Sequence, residues 1–260
     1  MTLSFGSVLR RGVLAGLSAG VASAVVTWLV VEPVIRRALV IEESRTTAVH
    51  GGGQSIAVHV PAHGGDEPLV SRTVQVVGGG VTAALGGVAV GVIFAVVYAR
   101  VRERLGSRGD LVGSLTLAAI GFGAVSLLPA LVVPANPPAV GDADTVGRRT
   151  MLYAVVLLLG VAIPLVVATV DRRLAQRGTL TSTRRTVDVL TAVVLVVLVV
   201  TLVPGSPDVV ADDVPADLLW DFRLASLAQL AAMWLTLGLV FGVLMERAVT
   251  RDRALTAVPA

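Results

Sequence analysis

Three observations predict an all-α, polytopic helical membrane protein. Hydrophobic residues fill 55% of the 260 positions and charged residues only 15%, against about 25% charged in a soluble domain. Six nearly uncharged runs punctuate the chain, each near the roughly 20 apolar residues that cross a hydrocarbon core about 30 Å thick. Arginines and acidic residues, finally, are sorted between alternate connections.

The first run, Gly12 to Val31, follows a basic flank at Arg10 and Arg11. Ala22-Ser23-Ala24 resembles a signal-peptidase site, but apolar residues continue through Val31, which fits a retained anchor. Residues 32–72 read as a flexible outer loop. The later runs are Thr73 to Ala99, Leu111 to Val133, Thr150 to Val170, Val189 to Pro207 and Leu224 to Met245. The fifth has a short dense core, Val189 to Val203, and ends in Pro204-Gly205-Ser206-Pro207, so five spans is the alternative to six. Pro129 and Pro164 fall inside the third and fourth runs and should kink them. The whole of 1–260 is one membrane domain.

With the N-terminus inside, the inner segments hold fourteen arginines against six acids, net +8, and the outer loops seven arginines against twelve acids, net −5. Both termini are therefore expected on the cytoplasmic side of a cell membrane. The pI of about 10.4 then reflects topology, and no nucleic-acid partner is expected.

Residue types exclude much chemistry. The chain has no cysteine, and all 21 basic residues are arginine, so thiolate sites, Schiff bases and a Walker A lysine are absent. ATP binding by this chain is not expected. No ionisable residue lies near the midpoint of any run, which argues against a self-contained proton relay and against intramembrane hydrolysis. Neither an enzyme nor a permanently bound cofactor is expected.

Small residues recur every fourth position in the first run, at Gly12, Gly16, Gly20 and Ala24, and in the second, at Gly79, Ala83, Gly87, Gly91, Ala95 and Ala99. Such stripes let another backbone approach closely, for helix packing or for docking a partner.

The distinctive chemistry lies in the outer loops. His50, His59 and His63 are the protein's only histidines, and imidazole with carboxylate suits divalent cobalt, nickel, copper or zinc; a solvated loop with no metal role is equally open. Asp217 and Asp221 fall on one helical face, close enough to share a cation, or else they complement the helix dipole. Asp213 resembles a helix N-cap with Pro215 in the first turn, and Asp144 or Thr145 a cap for the fourth span. Between the third and fourth runs, Pro134, Pro137, Pro138 and Gly141 forbid regular structure. That leaves Asn136 and Asp142 as free oxygen ligands and places Arg148 at the mouth of span four. Val133-Pro134-Ala135-Asn136-Pro137 echoes Val203-Pro204-Gly205-Ser206-Pro207, and each precedes an acidic loop and an arginine, Arg148 or Arg223. A duplicated hairpin or a chance recurrence would both give this.

Taken together, Glu67-Pro-Leu-Val-Ser-Arg-Thr-Val-Gln75, Pro134-Ala-Asn-Pro-Pro-Ala-Val-Gly-Asp142 and Val214-Pro-Ala-Asp-Leu-Leu-Trp-Asp-Phe-Arg-Leu-Ala-Ser-Leu227 resemble the CbtA family of probable cobalt transporter subunits, over nearly the whole chain. The resemblance implies a multi-pass inner-membrane protein for cobalt uptake, working with a small single-span CbtB-like subunit. Co2+ is then the cargo, with Ni2+ chemically similar. Two other functions fit the residues: a non-transporting assembly or stability factor, and a permease for a neutral or anionic solute bound by Arg148, Arg149 and Arg223.

Overall fold

The computed structural model describes residues 4–51, 72–105, 109–138, 140, 143–208, 210 and 214–256. Among them there is no strand, and six helices are long and apolar enough to cross a membrane. The first is continuous from Phe5: α1 (Phe5–Val26), a π segment (Thr27–Val31) and α2 (Glu32–Gly51). The second is α3 (Arg72–Leu105). The third comprises α4 (Asp110–Gly121), a π segment (Phe122–Leu127) and α5 (Leu128–Val132). The last three are α6 (Val146–Gln176), α7 (Thr181–Leu202) and α8 (Ala216–Thr256).

Two boundaries differ from expectation. The backbone stays helical beyond Glu32 to Gly51 rather than opening into a loop, so the first helix is about 70 Å long at 1.5 Å per residue and projects well past the bilayer. The fifth span is a full helix that begins at Thr181, eight residues before its dense apolar core. Its first turns are amphipathic: Arg184 pairs with Asp171 of α6 at 2.6 Å, so charge there is held at the helix end. Six spans stand, and the five-span alternative does not.

Each π segment ends two residues before a proline, Pro33 or Pro129. A proline in a helix has no N–H and crowds the carbonyl four residues back. Here the turn widens instead, so that the Glu32 N–H reaches Thr27 O and the Leu128 N–H reaches Gly123 O. The expected disturbance at Pro129 therefore takes the form of a π turn. α6 passes through Pro164 as one helix.

The first and second helices meet along glycine. A methyl group at Gly12 would lie 2.6 Å from Gly91 O, at Gly20 2.5 Å from Ala83 O, and at Gly87 2.7 Å from the Gly20 Cα. Gly16 and Gly91 are equally tight. Gly79 is different: among the described residues, nothing beyond its own helix backbone lies within 4 Å of a methyl group placed there. The stripe on α3 thus engages α1 only from Ala83 onward.

α8 packs against both α1 and α4, and the aromatic core forms where α8 meets α3. The rings of Phe94 and Tyr98 stand T-shaped to that of Phe241, with centroids 5.2 and 5.0 Å away, a favoured geometry. Below it the α3–α4 turn is locked. The Asp110 carboxylate accepts from Arg102 Nε and Nη2, both 2.8 Å, and from Tyr98 Oη at 2.8 Å. Glu246 of α8 accepts from the Leu111 N–H at 3.1 Å, and Gly109 supplies the positive φ of 106° that the turn needs. The α6–α7 hairpin packs against the α5 end of the third span through Leu128, Val132, Val156 and Val199.

The hydroxyls and amides inside the membrane are absorbed by packing. Gln229 Nε2 donates to Ser23 Oγ at 3.1 Å, Trp234 Nε1 to Ser126 Oγ at 2.9 Å, and Ser114 Oγ to Gly238 O at 2.8 Å. Ser18, Thr27, Thr82, Thr116, Thr201 and Ser226 each return a hydrogen bond to a carbonyl four residues back.

Candidate functional site

One end of the bundle gathers α2, residues 133–138, 140 and 143–145, residues 203–208, 210, 214 and 215, and the start of α8. The two proline-flanked segments that echo each other in sequence lie side by side there, stitched by polar side chains. Helix α5 stops where Val133 turns to φ −125°, ψ 78°, and Pro137 is fully buried. Asn136 then faces both ways. Its Nδ2 donates to Asp208 Oδ2 at 3.1 Å, and its Oδ1 accepts from Arg223 Nη2 at 3.2 Å. Arg223 Nε also reaches Ala135 O at 3.4 Å.

Asp208 is the hub. Only 1% of its side chain is exposed, and it accepts from Thr145 Oγ1 at 2.5 Å and Arg149 Nη1 at 2.6 Å. Burial pushes its carboxyl up, but the hydrogen bonds from Thr145 and Arg149 and the charge of Arg149 outweigh burial and hold it below the ordinary carboxylate value. The expected Thr145 cap of α6 is not made: Thr145 occupies the cap position without a side-chain cap bond, because its hydroxyl is turned to Asp208. Arg148 is exposed, and Arg149 anchors the mouth of α6. A cavity of about 710 Å³ beside this network is lined by Pro134, Asn136, Pro137, Pro138, Arg149 and Tyr153, among others.

Next to it, Asp217 and Asp221 do lie on one face of α8. The cation between them is a guanidinium: Arg37 Nη2 meets Asp217 at 2.8 Å and Nη1 meets Asp221 at 2.7 Å. α2 delivers Arg37 there because Val34 and Ala38, on the neighbouring face, are buried against Val214 and Leu218. All three charged side chains are about half exposed or more, so the pairing is weak in free energy. Pro215 directly precedes α8, which begins at Ala216, so the expected first-turn proline sits one position earlier. Asp213 lies outside the described residues.

His59, His63 and Asp142 likewise lie outside the described residues, and of His50 only the backbone, near the end of α2, is described. Among the described residues no three His, Asp or Glu side chains converge to hold a metal ion. Arg37 and Asp208 escape a reading by sequence. The recurring Val-Pro-x-x-Pro segments were the one signal for Asp208, since a close repeat of two loop starts would set them together.

Six long apolar helices around a hydrophobic core, with charge gathered at the two ends, define a multi-pass integral membrane protein. The chain belongs to the CbtA family, described as a probable cobalt transporter subunit, whose model matches residues 5–246. No curated protein and no solved structure matches the chain.

Proposed function

We propose that this chain is the membrane subunit of a divalent transition-metal uptake system that gathers Co2+ at the rim formed by α2, residues 133–138 and 143–145, and the start of α8. A small single-span CbtB-like subunit completes the path through the cell membrane. The arginine balance supports placing this rim outside and both termini inside. His50, His59, His63, Asp142, Asp217 and Asp221 are the proposed ligands.

One observation carries the reading: two carboxylates of α8 are already held together by a single exposed cation, Arg37. A divalent ion bound by the same oxygens replaces one charge with two, and the guanidinium it displaces moves into water at little cost. The histidines supply imidazole, whose affinity for cobalt and nickel exceeds that for magnesium or calcium. Arg149 and Arg223 are occupied by Asp208, Asn136 and Ala135 O, which disfavours an anion-binding permease.

Uptake of labelled cobalt into cells expressing the chain with its partner tests this. Asp217→Asn/Asp221→Asn should lower uptake at low cobalt at least tenfold, by analogy with the roughly 10–100-fold cost of losing even outer-shell metal partners. Arg37→Gln should raise it, since the carboxylates lose their competitor. If Arg37→Gln lowers uptake as much as the aspartate changes do, the trio is only a tie between α2 and α8 and the reading fails.

A further inference from the structure

At the opposite end of the bundle a groove of about 1020 Å³ runs between the third span and the α6–α7 hairpin. Its walls are apolar, with Ile120, Leu127, Leu131, Ile163, Val167 and Val196. Its mouth is charged: Arg104, Arg172, Arg184 and Arg185 stand against Asp171 and Asp188, a formal excess of two positive charges. Asp171 is taken by Arg184, while Arg104, Arg172 and Arg185 are exposed. Among the described residues, Asp188 keeps one buried carboxylate oxygen, Oδ1, with no hydrogen-bond partner.

The length of the groove has a meaning. From Asp171 back to Gly160 along α6 is about 16 Å, close to half of a hydrocarbon core about 30 Å thick. The groove is thus at least one leaflet deep. On α6 its lining ends at Gly160, which presses on the Ala124 carbonyl of the π segment, while on the third span and on α7 it continues to Leu131 and Val196.

We infer that this groove holds an anionic phospholipid of the adjoining leaflet, its acyl chains along the apolar walls and its phosphodiester among Arg104, Arg172 and Arg185. Basic pockets between membrane helices bind such head groups. The unpartnered Asp188 oxygen refines the choice, since a buried acceptor left without a donor is costly. A head group with a hydroxyl, as in phosphatidylglycerol, supplies that donor while its phosphate meets the guanidiniums. An apolar partner helix in the same place would leave both the arginines and the Asp188 oxygen unmatched.

Native mass spectrometry of the full chain in detergent, stripped of lipid and then given defined lipids, tests the inference. Phosphatidylglycerol should be retained at least tenfold more than phosphatidylcholine. Phosphatidylmethanol, of equal charge but without a head-group hydroxyl, should fall between them, and excess inorganic phosphate should not displace the bound lipid. Arg172→Gln/Arg185→Gln should cut phosphatidylglycerol retention about 25-fold, from about fivefold per arginine, and Arg172→Lys/Arg185→Lys should restore most of it in a protein of the same fold. Equal retention of charged and zwitterionic lipid, or a glutamine variant that binds as the wild type does, overturns the site. So does a groove that takes no lipid but loses a co-purifying single-span protein when the arginines are changed. Equal retention of phosphatidylglycerol and phosphatidylmethanol overturns the role given to Asp188.

Discussion

Replacing glycine by alanine inside a helix ordinarily stabilises it by about 0.5–1 kcal/mol, through the backbone entropy that glycine carries in the unfolded chain. Gly20→Ala should do the reverse. A methyl group there meets Ala83 O at 2.5 Å, Ala84 Cα at 2.7 Å and Ala84 O at 3.0 Å, whereas ordinary contact begins near 3.4 Å. The two backbones must part by about 0.9 Å, the difference between 3.4 and 2.5 Å. A gap of that order forfeits a quarter to a half of each dispersion contact, and overpacking typically costs about 1–3 kcal/mol. Net of helix propensity, Gly20→Ala should destabilise by about 1–2 kcal/mol. Gly79→Ala, on the predicted stripe of the facing helix α3 but with nothing among the described residues within 4 Å of the added methyl, should gain about 0.5–1 kcal/mol. Unfolding in mixed micelles by increasing dodecyl sulfate, followed by tryptophan fluorescence, measures both. Shifts of the same sign and size at the two positions would refute the close approach of α1 to α3.

Three further outcomes are expected. Asp208→Asn should destabilise the fold by about 2–4 kcal/mol, since it weakens hydrogen bonds to a charged acceptor and strands Arg149; an unchanged midpoint in the same micelle titration would contradict the hub role. That stabilisation has a defined pH window. The Asp208 carboxyl titrates lower when folded than its unfolded value of about 3.9, so the unfolded chain binds more protons between the two values and the contribution is present above them. It disappears as pH falls through the folded value, and wild type and Asp208→Asn should converge in stability only under strong acid. Asp110→Asn should loosen the α3–α4 turn, which accelerated backbone hydrogen exchange at Leu111 and Gly113 would report.

Length and hydropathy were enough to read six helices, because the roughly 30 Å of hydrocarbon imposes one requirement on every span. Helix ends were read less well. Thr181 to Asp188 carries Arg184, Arg185 and Asp188 and looked like a connection, yet the Arg184 pairing with Asp171 on a neighbouring helix lets those residues stay helical. Glu32 and Pro33 looked like the start of a loop for the same reason, and the π segment removes the steric objection to Pro33. At the rim, the pairing of Asp217 with Asp221 followed from a four-residue spacing. The identity of their counter-ion did not, because Arg37 arrives from a helix 180 residues away in sequence. Asp208 was one acid among twelve on its side, and only the approach of two proline-flanked segments in space made it a hub.

The π segment at Thr27–Val31 acts as a change of phase. A π turn takes up more residues than the α turn it replaces, and each residue is worth about 100° of rotation about the axis. Upstream, that helix shows its glycines to α3; downstream, it shows Val34 and Ala38 to α8 and holds Arg37 over the two aspartates. A chain shortened by one residue within Thr27–Val31 would lose a single side chain and keep nearly all its hydropathy, yet swing Arg37 by about 100° off its partners. The rim is therefore set by the count of residues between two proteinaceous surfaces as much as by their identity, and length variation in that single turn would be felt 180 residues away.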